Sequence, residues 1–337
     1  MSLEMNPNGP LPGDNAFRRN QLKGTQWEPT YAGALSFMRR KYTRELAGVD
    51  IAVTGIPFDQ AVSHRSGTRM GPEGIRKASA ENAWGPFWPW NFDPFDTLAV
   101  TDYGDCFFDW GAKEKFPETL ERHASTILDS GAEMISLGGD HYVSYPLLKA
   151  HARKHGPLSL IHFDAHRDME PDDGGRIDHG TMFGYALREG LIDPKKSVQI
   201  GIRTVFSGEK THGVRIIYAD EVHDSSSADI AKIVQQVVGN TKAYLTFDID
   251  CLDPAAAPGT GTPIPGGLTY HQAASIIRKL TDIHFVSMDV VEVSPPYDHA
   301  EVTAMLANRA ALEAISALAV KQAAGHPVRF SGPATRR

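Results

Sequence analysis

The chain has 337 residues, of which 41% are hydrophobic and 22% are charged, and its formal net charge at pH 7 is −7. This composition is typical of a globular protein, and the length suits either two small domains or one large α/β domain with a sizeable core. The negative net charge and the lack of a long basic run argue against nucleic acid as a partner, whereas they suit a cationic substrate.

Cysteine usage and the N-terminal sequence indicate a protein of the reducing cytoplasm. The chain has two cysteines, Cys106 and Cys251, which make neither a disulfide framework nor a Cys-based zinc site. The N-terminal residues 1–17 are polar and contain no apolar segment of the signal-peptide kind. No run of about eighteen apolar residues occurs, so we predict no membrane span.

The predicted elements alternate between strands and helices along most of the chain. Strands are predicted over 50–56, 97–102, 134–137, 158–163, 198–202, 214–218, 243–247 and 283–291. Helices are predicted over 31–46, 73–79, 116–130, 145–155, 183–190, 228–238, 270–280 and 302–324. This alternation predicts a mostly parallel sheet with helices on both of its faces.

The domain organisation follows from composition. Residues 1–30 are rich in Asn, Pro and Gly and are expected to form an extended N-terminal arm, and residues 326–337 are expected to form a frayed tail. We find no linker, internal repeat or low-complexity segment between them. We therefore predict a single domain over 31–325.

Three alternating polar residues follow the strand predicted over 158–163. Asp164, His166 and Asp168 are two residues apart, so their side chains point the same way in an extended segment. This pattern is more than the chemistry of a polar turn requires. Two carboxylates and an imidazole at the end of a buried strand need their charge neutralised, and a metal ion does this most directly.

The strand predicted over 243–247 is followed by a second such pattern, Asp248 and Asp250. An EF-hand calcium loop is the obvious alternative for an Asp-x-Asp pair. That alternative fails because position six of such a loop would be Asp253 rather than Gly, and position twelve would be Gly259 rather than Glu.

Two further strands end in residues with ligand chemistry. His141 follows two glycines after the strand over 134–137, and Glu292 directly follows the strand over 283–291. In open α/β sheets ligands bind beyond the carboxyl ends of the strands. We therefore expect the polar residues of all four strand ends to meet at one site.

The donor set predicts two divalent ions. Two histidines and four aspartates are too many ligands for one tetrahedral zinc but suit two ions with shared carboxylates, which activate a water molecule for hydrolysis. These ligand types suit Mn²⁺ and also fit Ni²⁺, Co²⁺, Fe²⁺ or Zn²⁺. Glu292 could hold a planar cation such as a guanidinium group, and His179 could transfer a proton to a leaving nitrogen. A loop histidine without a role is an equally good interpretation of the local sequence around His179.

The motifs together resemble the ureohydrolase family, which includes arginases, agmatinases and guanidinobutyrases, and they look most like those of bacterial agmatinases. The matching segments are 138–141 (Gly-Gly-Asp-His), 164–168 (Asp-Ala-His-Arg-Asp), 179–183 (His-Gly-Thr-Met-Phe), 246–254 and 289–293. The resemblance extends from about residue 51 to the end of the last helix. It implies an arginase-like three-layer α/β/α fold, two Mn²⁺ ions per chain and a homo-oligomer, either a trimer or a hexamer.

The resemblance also implies a role for each candidate site residue. Glu292 would bind the guanidinium group, and His179 would be the acid and base that carries the proton. One ion would be held by His141, Asp164, Asp168 and Asp248, and the other by Asp164, His166, Asp248 and Asp250. Asp164 and Asp248 would then bridge the two ions.

The expected reaction is hydrolysis of a guanidino compound to urea and an amine, with agmatine and putrescine as the expected pair. Asp172 and Asp173, in an acidic loop, could meet the distal ammonium of agmatine. The segment after Asp168 and the long N-terminal arm depart from typical agmatinases. 4-Guanidinobutyrate, guanidine and metformin therefore stay open as alternative substrates, whereas arginine is disfavoured. A non-catalytic subunit of the same fold is the alternative from another class.

Overall fold

The computed structural model describes residues 13–170, 175–205 and 210–324. Within these ranges the strands are β1 (Lys41–Tyr42), β2 (Ile51–Gly55), β3 (Val100–Asp105), β4 (Glu133–Leu137), β5 (Ser159–Phe163), β6 (Val198–Ile202), β7 (Arg215–Tyr218), β8 (Lys242–Asp248) and β9 (His284–Val291). The α-helices are α1 (Asn15–Arg18), α2 (Gly71–Ser79), α3 (Pro94–Thr97), α4 (Phe116–Asp129), α5 (Ser144–His155), α6 (Met182–Arg188), α7 (Ala219–His223), α8 (Ser227–Val238), α9 (Tyr270–Ile277) and α10 (Val302–Ala324).

The strands of the described ranges form one sheet in the order β1-β3-β2-β4-β9-β8-β5-β6-β7. Every neighbouring pair is parallel. β4 and β5 are consecutive in sequence, yet β9 and β8 lie between them in the sheet. The predicted parallel α/β architecture is confirmed, and the four central strands come from distant parts of the chain.

Two apolar cores lie on opposite faces of the sheet, because successive strand residues point to opposite sides. Ile51 and Val53 of β2 belong to one core, with residues of α2, α8, α9 and α10. Ala52 belongs to the other core, with residues of α4, α5 and α6. The molecule therefore has the three α/β/α layers that the family resemblance implied.

The helix predicted over 31–46 is wrong. This segment contains a 3₁₀ turn, Phe37–Arg39, followed by the short strand β1. The Phe37 amide donates to the buried Asp102 carboxylate at 2.7 Å, and Met38 adopts a left-handed conformation with φ of 49°. Tertiary contacts of the backbone replace the helical hydrogen bonds that the local pattern favours.

Residues 13–30 are the described part of the predicted N-terminal arm, and polar contacts hold them against the rest of the chain. Buried Glu28 accepts the Asn15 amide at 3.1 Å and pairs with buried Arg39 at 3.5 Å. Arg19 is also buried and donates to the carbonyl oxygen of Gly24 at 2.7 Å.

Helix α10 is long and apolar enough to cross a membrane by length and composition alone, but 72% of its apolar window is buried inside the fold. Such burial is typical of a core helix. Its buried Glu313 accepts hydrogen bonds from the Trp90 indole at 2.6 Å and from Arg278 at 2.7 Å. Trp90 belongs to the proline-rich aromatic segment 84–95, which therefore packs against this helix.

Candidate metal centre

The candidate site lies at the carboxyl ends of four adjacent strands, β4, β9, β8 and β5. Each strand contributes polar residues at or just beyond its last residue, which is where ligand sites form in parallel sheets. The structure thereby brings together the predicted residues His141, Asp164, His166, Asp168, Asp248, Asp250 and Glu292, and the loop residue His179 joins them.

The first group of donors surrounds the Nδ1 atom of buried His141. Carboxylate oxygens of three aspartates lie close to this atom: Asp164 Oδ2 at 3.1 Å, Asp168 Oδ2 at 2.9 Å and Asp248 Oδ2 at 3.2 Å. Nδ1 makes no hydrogen bond with good geometry, whereas Nε2 lies 2.8 Å from the Thr246 hydroxyl. One imidazole nitrogen and three carboxylate oxygens that converge on one point fit the coordination of a divalent cation.

The second group of donors surrounds the Nδ1 atom of His166. Asp250 Oδ2 lies at 3.1 Å from it and Asp164 Oδ1 at 3.4 Å. Asp164 therefore faces the first group with one oxygen and the second group with the other. Asp248 Oδ1 accepts a hydrogen bond from the Asp250 backbone amide at 2.8 Å. This bond is a second connection between the two groups, because Asp248 belongs to the first and Asp250 to the second.

These two groups hold more negative charge than their protein surroundings compensate. Burial and the repulsion of Asp250 and Asp164 raise the pKa of Asp248 well above its ordinary value. Burial would lower the pKa of His166, but the Asp250 and Asp164 carboxylates overcome this effect and raise the pKa to about 12. The site therefore favours bound positive charge, and its oxygen and imidazole donors fit divalent metal ions.

Glu292 lies next to the first group of donors and is buried. Its Oε1 atom accepts the His141 amide at 2.8 Å and lies 3.0 Å from His179 Nδ1. Its Oε2 atom is buried and has no hydrogen-bond partner. Glu292 also has a φ of 61° and Asp168 a φ of 54°. Left-handed non-glycine residues cost roughly 1–3 kcal/mol and cluster at functional sites.

His179 lies between Glu292 and the loop that follows β2. Its Nε2 atom accepts the Ser63 amide at 2.8 Å and lies 2.7 Å from the Ser63 hydroxyl. Burial lowers the pKa of His179, but Glu292 offsets this and raises the pKa to about 9. The Ser63 amide opposes that rise because it needs a lone pair on Nε2. His179 is therefore held at both ring nitrogens, by Glu292 on one side and by Ser63 on the other.

A cavity of about 160 Å³ lies beside the donor groups and is lined by some of their members, among them His166, Asp168 and Asp248. Its wall is mostly acidic and polar, and Arg176 pairs with Asp178 in it at 2.8 Å. The lining residues are Ser63, His166, Asp168, Glu170, Arg176, Asp178, His179, Gly180, Asp248 and Thr262. Asp172 and Asp173, which were predicted to contact an amine, lie outside the described residues.

Sequence reasoning missed several residues of the site, among them His162 and Ser63, and it noted Glu170 only as part of the acidic loop. His162 and Glu170 extend the alternation of Asp164, His166 and Asp168 by one step in each direction, so the same spacing argument could have found both. Ser63 carries no such signal, because only the fold brings its loop to His179.

The chain is an α/β protein with a parallel sheet between two layers of helices. The His/Asp site at the carboxyl edge of this sheet is a candidate metal centre. An arginase-family model matches residues 49–316. The chain is 55% identical over 316 residues to an agmatinase from Chromobacterium violaceum, and this alignment covers 93% of the chain and 97% of that relative.

Solved structures agree with the sequence comparison. A hypothetical agmatinase from Burkholderia thailandensis is 51% identical with a TM-score of 0.90, covering 92% of this chain and 99% of that one. The proclavaminate amidino hydrolase from Streptomyces clavuligerus is 38% identical with a TM-score of 0.81, covering 87% and 100% respectively. The chain belongs to the arginase family, so the ureohydrolase class predicted from the motifs is confirmed.

Proposed function

We propose that this protein hydrolyses agmatine to putrescine and urea with the help of two divalent metal ions. The observation that carries the proposal is the buried Oε2 atom of Glu292, which has no partner and lies beside the His/Asp groups. A guanidinium group offers N–H donors and a positive charge to such an oxygen. The agmatinase names of the relatives support agmatine as its source.

We assign the metal ligands as the family resemblance implies, with Mn²⁺ as the expected ion and Ni²⁺ or another divalent transition metal as the alternative. One ion would be held by His141, Asp164, Asp168 and Asp248, and the other by Asp164, His166, Asp248 and Asp250. The two oxygens of Asp164 face the two donor groups, which supports its bridging role. Ions bound there would lower the pKa of a water molecule and so provide the nucleophile.

The protein side chains orient the substrate and carry the proton. Glu292 holds the guanidinium group through Oε2, while Oε1 stays bonded to the His141 amide. Water adds to the guanidinium carbon, and the bond between this carbon and the substituted nitrogen breaks. His179 gives a proton to that nitrogen, which leaves as the amine of putrescine. His179 regains one of the protons that the water loses as the carbonyl of urea forms, and Ser63 holds the imidazole ring in place.

The acidic cavity wall favours a substrate with a second positive charge. Glu170 lies in this wall, and Asp172 and Asp173 follow it in sequence. A distal ammonium would gain from these carboxylates, whereas the carboxylate of 4-guanidinobutyrate would be repelled. We also propose a cytoplasmic enzyme that acts as a homo-oligomer, a trimer or a hexamer, as the resemblance implies.

The test is urea release from five guanidines by protein loaded with Mn²⁺ and, separately, with Ni²⁺. The substrates are agmatine, arginine, 4-guanidinobutyrate, guanidine and metformin. The highest kcat/KM for agmatine, with putrescine formed in equal amount to urea, would support the proposal. A preference for another guanidine would refute agmatine as the substrate. No urea from any of them, with two ions bound per chain, would refute the hydrolysis itself.

A further inference from the structure

A second buried histidine lies directly behind Asp164. His162 is fully buried on β5, and its Nε2 atom lies 2.6 Å from Asp164 Oδ2. Its Nδ1 atom lies 2.8 Å from the amide nitrogen of Gln199, a buried residue on β6. The ring also packs against Phe183, at 4.7 Å between centroids. Asp164 Oδ2 is thus in contact with His162 on one side and with the first donor group on the other.

The hydrogen bonds fix which nitrogen of His162 carries the proton. The Gln199 amide nitrogen donates to the Arg167 carbonyl oxygen at 2.6 Å, which sets the orientation of the amide, since the reverse orientation would place two carbonyl oxygens together. Its second N–H then points at His162 Nδ1, which must accept. The ring proton is therefore on Nε2 and points at Asp164 Oδ2.

A ring nitrogen of His162 also lies within 4.8 Å of donor atoms of His141, Asp164 and Asp168, as that of a metal ligand would. The proton on Nε2 argues against that role, because a ligating nitrogen needs a free lone pair. We propose that His162, oriented by Gln199, is a positioning residue that holds Asp164 in the conformation in which its two oxygens face the two donor groups. The inference rests on the metal centre of the proposed function.

Such a hydrogen bond has two consequences for a ligand carboxylate. It occupies one lone pair of Oδ2, so the other is left directed at the first donor group, and it prevents rotation of the carboxylate. The loss of partners of this kind typically weakens metal binding by about 10–100-fold. Because Asp164 faces both groups, we expect the loss of His162 to weaken the binding of both ions.

The experiment measures metal affinity rather than turnover. His162→Phe keeps a ring of similar shape against Phe183 but removes the N–H, whereas His162→Gln keeps an N–H at a similar reach. His151→Phe is the matched control: this fully buried histidine bonds the Leu147 carbonyl oxygen and packs on Tyr244, which precedes the predicted ligand Asp248 on β8 by more than one residue pair. Bound Mn²⁺ per chain is measured against a competing chelator, alongside thermal unfolding of the metal-free proteins.

We expect a dissociation constant about 10–100-fold higher for both ions in His162→Phe, recovery to within about threefold in His162→Gln, and no change in His151→Phe. Gln199→Leu should weaken binding in the same direction by a smaller factor. Unchanged metal affinity in a folded His162→Phe would refute the inference. Complete loss of one ion in both His162 variants, with the other unaffected, would instead make His162 a ligand.

Metal binding also separates this inference from the substrate proposal. If the unaltered protein binds two ions but prefers a guanidine other than agmatine, the role of His162 stands. If His162→Phe does not fold, Gln199→Leu decides the matter, because it leaves the imidazole in place and removes only the group that orients it. Metal affinity unchanged in Gln199→Leu would then refute the proposal, because the proposal requires Gln199 to orient His162 towards Asp164.

Discussion

Glu292→Gln tests the substrate site, because it changes charge without changing size. The glutamine carbonyl can still accept the His141 amide and the His179 ring proton, as Glu292 Oε1 does at 2.8 and 3.0 Å. Its amide nitrogen would replace Oε2, the buried oxygen that has no partner. The variant therefore presents an N–H donor to a guanidinium group that needs an acceptor.

The expected loss follows from the hydrogen bonds to the charged group. Each such bond contributes about 1.5–3 kcal/mol. In the variant the acceptor at the Oε1 position is no longer charged, and at the Oε2 position an amide N–H faces an N–H of the guanidinium group. A total of about 3–5 kcal/mol corresponds to a loss of about 10²–10⁴-fold in kcat/KM. The metal-free variant should melt no lower than the unaltered protein, because it no longer buries an oxygen with unmatched charge.

The assay is urea release with Mn²⁺ content and melting temperature measured on the same samples. Glu313→Gln is the matched control, since Glu313 is equally buried but bonds Trp90 and Arg278 away from the site. We expect this control to lower the melting temperature and leave kcat/KM unchanged. A kcat/KM within tenfold of the unaltered enzyme in Glu292→Gln, with both ions bound, would refute the assigned role of Glu292.

Other predictions address the bridging ligand, the proton carrier and the response to acid. Asp164→Ala should lose both ions and nearly all activity, and two ions retained in this variant would contradict its bridging role. His179→Asn should keep both ions while kcat falls by about 10²–10⁴-fold, and an unchanged kcat would remove His179 from the mechanism. Burial lowers the pKa of His123 and His151 to about 4, below the unfolded value of about 6.5. The unfolded chain then binds more protons in this window, so stability is complete above about pH 6.5 and falls towards pH 4, by up to about 1.4 kcal/mol per pH unit for each histidine. The free energy of unfolding, measured with urea between pH 4 and 7, should change less steeply with pH in His151→Phe than in the unaltered protein. The same pH dependence in both proteins would contradict this account.

The sequence predicted the parallel sheet and the convergence of its strand ends because both depend on local patterns. Apolar runs separated by amphipathic segments specify parallel strands, and the carboxyl ends of such strands meet at one edge. Asp164, His166 and Asp168 were expected to share one face of an extended segment, but β5 ends at Phe163 and the chain bends beyond it, with a φ of 54° at Asp168. Their convergence therefore depends on this turn and not on strand geometry alone.

Features that depend on distant contacts could not be predicted in this way. The 3₁₀ turn Phe37–Arg39 replaces the helix predicted over 31–46, because Asp102, far along the chain, accepts the Phe37 amide at 2.7 Å. Arg203 donates to the carbonyl oxygens of Asp250 at 2.7 Å and Cys251 at 3.2 Å, and so fixes the loop of the second donor group. Neither contact leaves a periodic pattern in the sequence.

The order of the strands has a consequence for how the protein is made. A ribosome that has released residues up to about 240 has already produced β4 and β5 with four of the predicted ligands, but β8 and β9 have yet to be inserted between them. Until then the two halves of the ligand set have no fixed separation, and a metal ion has no preformed centre to enter. β8 and β9 must take their places in the sheet before the metal centre is complete. Metal loading is therefore expected to follow synthesis of the whole chain rather than to guide its folding.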